Sequence, residues 1–205
     1  MQRFTTLHGV AVPLDRVNVD TDQILPARFL KKPRSAGYGA FLFHDERRRS
    51  PDFPLDRPAF RGAAILVAAR NFGCGSSREG AVYGLVDGGI CCVIAPSFGD
   101  IFAANAAKNG LLTITLPEAE VGKLRDRLRA APGTKLLVDL PAETITDPNG
   151  QTIHFEIDAF HKRCLIEGLD DIDLTLESID AITAFDERVA HEEPWRLPAP
   201  EPHQD

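Results

Sequence analysis

The run Gly73-Cys-Gly-Ser-Ser-Arg-Glu79 places two hydroxyls, a guanidinium and the amides of two glycines within seven residues. Arginine's planar fork bonds both oxygens of a carboxylate or phosphate, and glycine lets backbone approach a ligand closely. At a strand-to-helix turn, free amides and the helix's partial positive charge attract an anion further. Gly75, Ser76, Ser77 and Arg78 are therefore candidates for an anion-holding site. The plainer reading is a glycine turn whose serines only cap the next helix. The letters exclude three better-known turns. The third glycine of a dinucleotide fingerprint is replaced by Arg78, no GK[ST] follows, and neither serine is flanked as in GxSxG.

The flanking sequence predicts the elements such a turn needs. AAILVAA (63–69) is a continuous apolar run, the pattern of a strand covered on both faces. REGAVYGLVDGG after it has weak helical character. FTTLHGVAVPL, ICCVIAP and LLTITL read as further strands. SFGDIFAANAAKNG reads as a helix capped by Ser97 and stopped by Gly110, and PEAEVGKLRDRLRAAPG as another, starting at its proline. TKLLVDL, AETIT and QTIHFEI are short strands with DPNG as a turn, and DAFHKRCLIEGL is a short helix ending at Gly168. ESIDAITAFDERVA puts Ile179, Ile182, Phe185 and Val189 on one helical face. Residues 31–60, broken by Pro and Gly, predict a long irregular loop whose RRR run reads as a solvated face. Strand–helix alternation followed by strands indicates one layered α/β domain over residues 1–190, with residues 191–205 disordered by composition.

Composition excludes several classes. A net charge of -7 argues against general nucleic-acid binding, which needs a basic face. From Glu167 onward twelve acids face two bases. No run approaches the ~18 apolar residues that span a bilayer, and the N-terminus lacks a secretory leader, so a cytoplasmic protein is expected. The four cysteines (Cys74, Cys91, Cys92, Cys164) show no ligand spacing. Neighbours Cys91 and Cys92 point apart on a strand, where cysteine acts as a small hydrophobe. No metal site is expected on this chain.

Four segments, NVDTDQILPARFL (18–30), NFGCGSSRE (71–79), APSFGDIFAANAAKNGLL (95–112) and FEIDAFHKRCLIEGLDDIDLTL (155–176), together resemble the small subunits of 3-isopropylmalate dehydratases, relatives of aconitase. The resemblance covers roughly residues 1–190 and implies the aconitase swivelling domain, a three-layer β/β/α fold. It implies a hydro-lyase that interconverts 2- and 3-isopropylmalate by losing and regaining water, in leucine biosynthesis. It also implies a [4Fe-4S] cluster on a separate large subunit, with which this chain forms a heterodimer or higher heteromer. No cofactor would be bound by this chain, and no nucleic acid or membrane.

Carried over residue by residue, the resemblance implies Ser76 as the base and Ser77 and Arg78 (with Gly75) as holders of a substrate carboxylate. Serine is intrinsically a very poor base, so the helix terminus and Arg78 would have to stabilise its anion. Asp20, Asp22 and Glu79 would orient site groups, although both aspartates also read as caps of a turn. Tyr38, Phe41, Leu42 and Phe43 would wall the substrate's alkyl group or, alternatively, anchor the long loop. The chain departs from the family pattern at Gly80, where histidine is usual, and at His44, His161 and Lys162. These departures admit a paralogue acting on another methylated malate such as citramalate. A stand-alone carboxylate- or phosphate-binding module is the reading from a different class.

Overall fold

The computed structural model describes residues 1–76 and 78–196. They group into two compact units, Met1–Leu169 and a second beginning at Asp170. The first unit holds seven strands: β1 (Thr6–Leu14), β2 (Ile65–Ala68), β3 (Cys92–Ala95), β4 (Leu112–Thr115), β5 (Lys135–Asp139), β6 (Thr144–Thr146) and β7 (Thr152–His154). Its helices are α1 (Thr21–Ile24), α2 (His44–Arg49), α3 (Glu79–Asp87), α4 (Asp100–Lys108), α5 (Glu118–Ala130) and α6 (Ala159–Glu167). The strands form one sheet in the order β4-β3-β2-β1-β5-β6-β7.

β1 is shared between two halves of that sheet. Its first residues pair antiparallel with β5 (Thr6 opposite Asp139), and its last pair parallel with β2 (Ala11 opposite Ile65 through Leu14 opposite Ala68). Gly9 precedes the handover, where a Cβ would stand only 2.9 Å from that of Ala64, so a side chain would push the crossing backbones apart. β2 and β3 are buried at every residue, as a parallel sheet covered on both faces requires. Alternation along β2 sends Leu66 and Ala68 into one core with α3, α4 and the long loop. It sends Ile65 and Val67 into another, roofed by Val121, Leu124 and Leu128 of α5 and by Leu136, Val138 and Ile145 of the antiparallel strands. Cys92 and Cys164 are buried small hydrophobes, none of the four cysteines is disulfide-bonded, and burial pushes the Cys92 thiol far above its usual range.

Two local expectations fail. Ser97 does not cap α4, which opens after Gly99 with no side-chain cap; the Ser97 hydroxyl accepts instead from the Asn71 amide at 2.9 Å. Residues 31–60 are not irregular throughout. They contain α2 and a chain of short 3-10 turns (Arg34–Ala36, Tyr38–Phe41, Pro54–Asp56, Pro58–Phe60). Proline starts the last two rather than preventing them, because its fixed φ suits a first helical residue. Phe53 and Phe60 sink into the first core and hold the segment down. Within the RRR run, Arg47 pairs with Asp56 and Arg49 with Glu46.

The second unit holds α7 (Asp171–Leu176), opened by a capping box between Asp170 and Asp173, and α8 (Ile179–Glu192). The apolar face expected on α8 is present but largely at the surface: Ile179, Ile182 and Phe185 are 47%, 36% and 49% exposed, whereas Val189 is buried. A 3-10 turn at Pro194–Arg196 continues the chain into the stretch expected to be disordered; residues 197–205 lie outside the described residues.

Candidate active site

At the carboxyl ends of β1, β2 and β3, three segments continue side by side beyond the strands. The Asn18 amide donates to the Arg70 carbonyl (3.0 Å), the Gly73 amide to Val19 (2.8 Å), and the Thr21 amide to Cys74 (3.0 Å). On the other side the Phe72 amide donates to Ser97 (3.0 Å) and the Gly99 amide to Phe72 (2.9 Å). These bonds hold the Gly73–Glu79 turn between its neighbours, at a favoured ligand position of α/β sheets. Gly73 (φ +73°) lies where a Cβ would collide with the Phe102 ring, and Gly75 has φ +86°. Both glycines are therefore required by backbone and packing. Asn18 (φ +54°) and Asn71 (φ +60°) also adopt the left-handed conformation that asparagine tolerates, and the Asn71 side chain donates to that of Asn18 at 2.8 Å.

Ser76 is exposed at the crest of this turn. Arg78 is the residue before α3, its side chain 31% exposed, and its Nη1 donates to Asp22 Oδ1. Asp22 also accepts from the Ala27 amide at 3.1 Å, so it serves both as a turn cap and as the partner of Arg78. Asp20 closes a capping box with Gln23 (2.7 Å and 3.0 Å) and is a structural cap. α3 has no side-chain cap bond. The Ser76 group that is engaged is its carbonyl, which accepts the Thr21 hydroxyl at 2.5 Å. For Ser76 the capping reading of the turn therefore fails, and its hydroxyl stays available. Ser77, a predicted carboxylate holder, lies outside the described residues. Glu79, in the first turn of α3, accepts from Asn109 at 2.8 Å and ties α3 to the end of α4. Burial, and then the charge of Glu79, pushes the Tyr83 phenol up. Burial, and then Asp20, pushes the Cys74 thiol up, which disfavours its thiolate.

The loop expected to wall an alkyl group divides. Tyr38, Leu42 and Phe43 are buried and act as anchors. Tyr38 donates through its hydroxyl to the Lys32 carbonyl (2.8 Å) and through its amide to Asp87 (3.3 Å), while Leu42 and Phe43 enter the first core. Phe41 is the one of the four with surface to offer; it stacks on Phe29 with centroids 4.2 Å apart. At Gly80, where a histidine is usual in the resembling family, a Cβ would meet the terminal methyl of the exposed Leu30, which would have to turn aside to admit a side chain. His44 and Arg28 both engage Asp45, and Lys162 bonds Glu143 (2.6 Å) and the Pro141 carbonyl. Thr21, Asn18 and Asn71 are site-building residues that sequence reasoning missed. The two asparagines carried a usable signal in their tolerance of positive φ; Thr21, between two aspartates, carried none.

Could this chain hold an iron–sulfur cluster or a metal itself? Cys92 and Cys164 are buried in the core, and among the described residues no group of three or more His, Cys, Asp or Glu side chains is placed to bind a metal ion. The described residues do not fit such a group. No helix among the described residues is long and apolar enough to cross a membrane.

Comparison with known proteins shows the family and the fold. Residues 1–119 match the aconitase C-terminal domain, residues 123–159 the LeuD_N model, and residues 171–199 the C-terminal domain of the 3-isopropylmalate dehydratase small subunit. The 3-isopropylmalate dehydratase small subunit of Dinoroseobacter shibae is 50% identical over 95% of this chain and all of its own length. That of Saccharophagus degradans is 46% identical over 98% of this chain, again over its full length. The crystal structure of a 3-isopropylmalate dehydratase (leuD) from Methanocaldococcus jannaschii superposes with a TM-score of 0.66 at 28% identity, covering 88% of this chain and 99% of the other. Full-length identity near one half, together with the shared aconitase-family fold, places the chain in the family of 3-isopropylmalate dehydratase small subunits.

Proposed function

We propose that this chain is the small subunit of a cytoplasmic hydro-lyase that interconverts 2- and 3-isopropylmalate through the unsaturated acid, in leucine biosynthesis, and that it works only when joined to a large subunit. The observation that carries the site assignment is the exposed Ser76 beside the Asp22-held guanidinium of Arg78, on a turn fixed from both sides. Arg78, together with Ser77, grips a substrate carboxylate, with Asp22 holding the guanidinium plane in a fixed orientation. Ser76, as its alkoxide, takes the proton from the carbon next to the one that loses hydroxide; that proton ends on Oγ, and the C–H electrons form the double bond. In the return direction the same Oγ delivers its proton to carbon and hydroxide adds at the neighbouring position, so one water is added overall and Oγ is again the alkoxide. A [4Fe-4S] cluster on the large subunit would supply Lewis-acid chemistry at the hydroxyl that leaves. Positive potential from Arg78 and the α3 terminus makes the alkoxide accessible, a preorganised electrostatic effect. Phe41, stacked on Phe29, is the apolar surface offered to the alkyl branch.

The test is reconstitution. The chain alone, a cognate large subunit alone and the mixture are assayed by absorbance of the unsaturated acid. Turnover is expected only in the mixture; turnover by the lone chain would overturn the half-site reading. Comparing kcat/KM on 2-isopropylmalate and citramalate identifies the substrate, and a preference for citramalate would reassign it to the methylated malate.

A further inference from the structure

We infer that Thr21 is a positioning residue: its buried hydroxyl sets the height and orientation of Ser76 by holding the Ser76 carbonyl. This rests on the proposed role of Ser76 as the base. Thr21 is 2% exposed, one of only two buried polar or charged side chains among the described residues. A buried hydroxyl is costly unless bonded, and this one has a single recorded use, the 2.5 Å bond it donates to the Ser76 carbonyl. The same residue's amide donates to the Cys74 carbonyl at 3.0 Å, and its neighbour Asp20 forms a bridge-like pair with Cys74. Thr21 thus grips the turn at both Cys74 and Ser76, on either side of Gly75, which has φ +86° and no side chain to restrain it. A glycine just before the proposed base gives a loose hinge, and two hydrogen bonds from one residue, on either side of it, restrict that freedom.

α1 is only four residues long, yet it references two groups at once. Thr21 holds the Ser76 backbone, and Asp22, the next residue, holds the Arg78 side chain. Asp20 closes the capping box that stiffens the helix under both. Adjacent residues of α1 thus reach both the Ser76 backbone and the Arg78 side chain. Thr21 holds the turn through the backbone carbonyls of Cys74 and Ser76 and shares no side-chain hydrogen bond with Arg78.

The experiment uses the assembled two-subunit enzyme with Thr21→Val, which keeps the shape, and Thr21→Ser, which keeps the hydroxyl. Misplacement of a catalytic group by about 1 Å can cost on the order of 100-fold, so Thr21→Val is expected to lower kcat by roughly 10- to 100-fold. KM should stay within about threefold, because carboxylate binding by Arg78 is untouched. Thr21→Ser should restore kcat, and neither variant should weaken subunit association. A Thr21→Val enzyme with kcat within about twofold of wild type would overturn the inference. So would parallel losses of kcat and Tm in both variants, which mark a merely structural residue. Ser76→Ala run alongside separates the two levels. If it abolishes turnover while Thr21→Val is normal, only the Thr21 inference falls; if it turns over normally, the base assignment falls and takes the inference with it.

Discussion

Two strand-to-helix turns lie side by side at the same edge of the parallel strands, and they have been used differently. The turn from β2 into α3 ends in an exposed serine and an arginine; the turn from β3 into α4 ends in Ser97-Phe98-Gly99. Both helices lack a side-chain cap, so both present amides at their starts. The difference lies in what fills the space. At α4 the crest is aromatic: Phe98 stacks with Phe102 at 6.3 Å, and Phe102 meets Phe72 edge-on at 5.5 Å, backed against Gly73. At α3 the crest is polar, and α1 leans in to hold it with Thr21 and Asp22. The helix terminus alone does not make a site. One turn is a strut and the other a holder because of the residues its neighbours bring.

That comparison can be broken or sharpened by substitution. The largest effect should come from Ser76→Ala in the assembled enzyme: a positioned proton-transfer group is worth about 10²- to 10⁴-fold, so kcat should fall by that order with folding unchanged. On the strut side, Phe102→Ala should cost stability rather than chemistry. Phe102 is buried, and truncating a buried Phe costs about 3–5 kcal/mol, measured as a lowered urea midpoint, while kcat per folded molecule is kept. Arg78→Lys keeps the charge and loses the fork. Charge-assisted bonds are worth about 1.5–3 kcal/mol, so kcat/KM should drop about 10- to 100-fold, mostly through KM. The smallest effect should be seen in acid. Arg28, by a hydrogen bond, and then His44 hold the Asp45 carboxyl well below its usual range. Its depressed value means the pair stabilises the fold above the unfolded aspartate pKa of about 3.9, and that this contribution is lost as pH falls below it. The Tm difference between wild type and Asp45→Asn should therefore shrink from pH 5 towards pH 3; a constant gap would remove Asp45 from the acid limb.

Much of the scaffold is legible in the letters because apolar periodicity is a strong signal. AAILVAA and ICCVIAP contain β2 and β3, and Gly110 (φ +76°) and Gly168 (φ +75°) stand just beyond the ends of α4 and α6. The turn stands out as a candidate anion site because Gly, Ser and Arg are adjacent in sequence. What was not legible depends on distance in the chain. Thr21 meets Ser76 across 55 residues, and Asp22 meets Arg78 across 56, pairings that no local pattern encodes. The long loop is ambiguous in the letters for a related reason. Tyr38, Leu42 and Phe43 are aromatic or apolar whether they wall a ligand or anchor a segment, and only burial distinguishes the two. The stripe on α8 carries the converse lesson, since period-3.6 spacing marks a face without saying what, if anything, covers it.

The most direct test of the half-site account is solvent deuterium incorporation. The assembled enzyme is incubated with 2-isopropylmalate in heavy water and the recovered acids are read by NMR. If Ser76 moves the carbon-bound proton, wild type introduces deuterium at that carbon and the Ser76→Ala complex, with its partner still bound, introduces none. Deuterium entering at an undiminished rate in the Ser76→Ala complex would contradict the account.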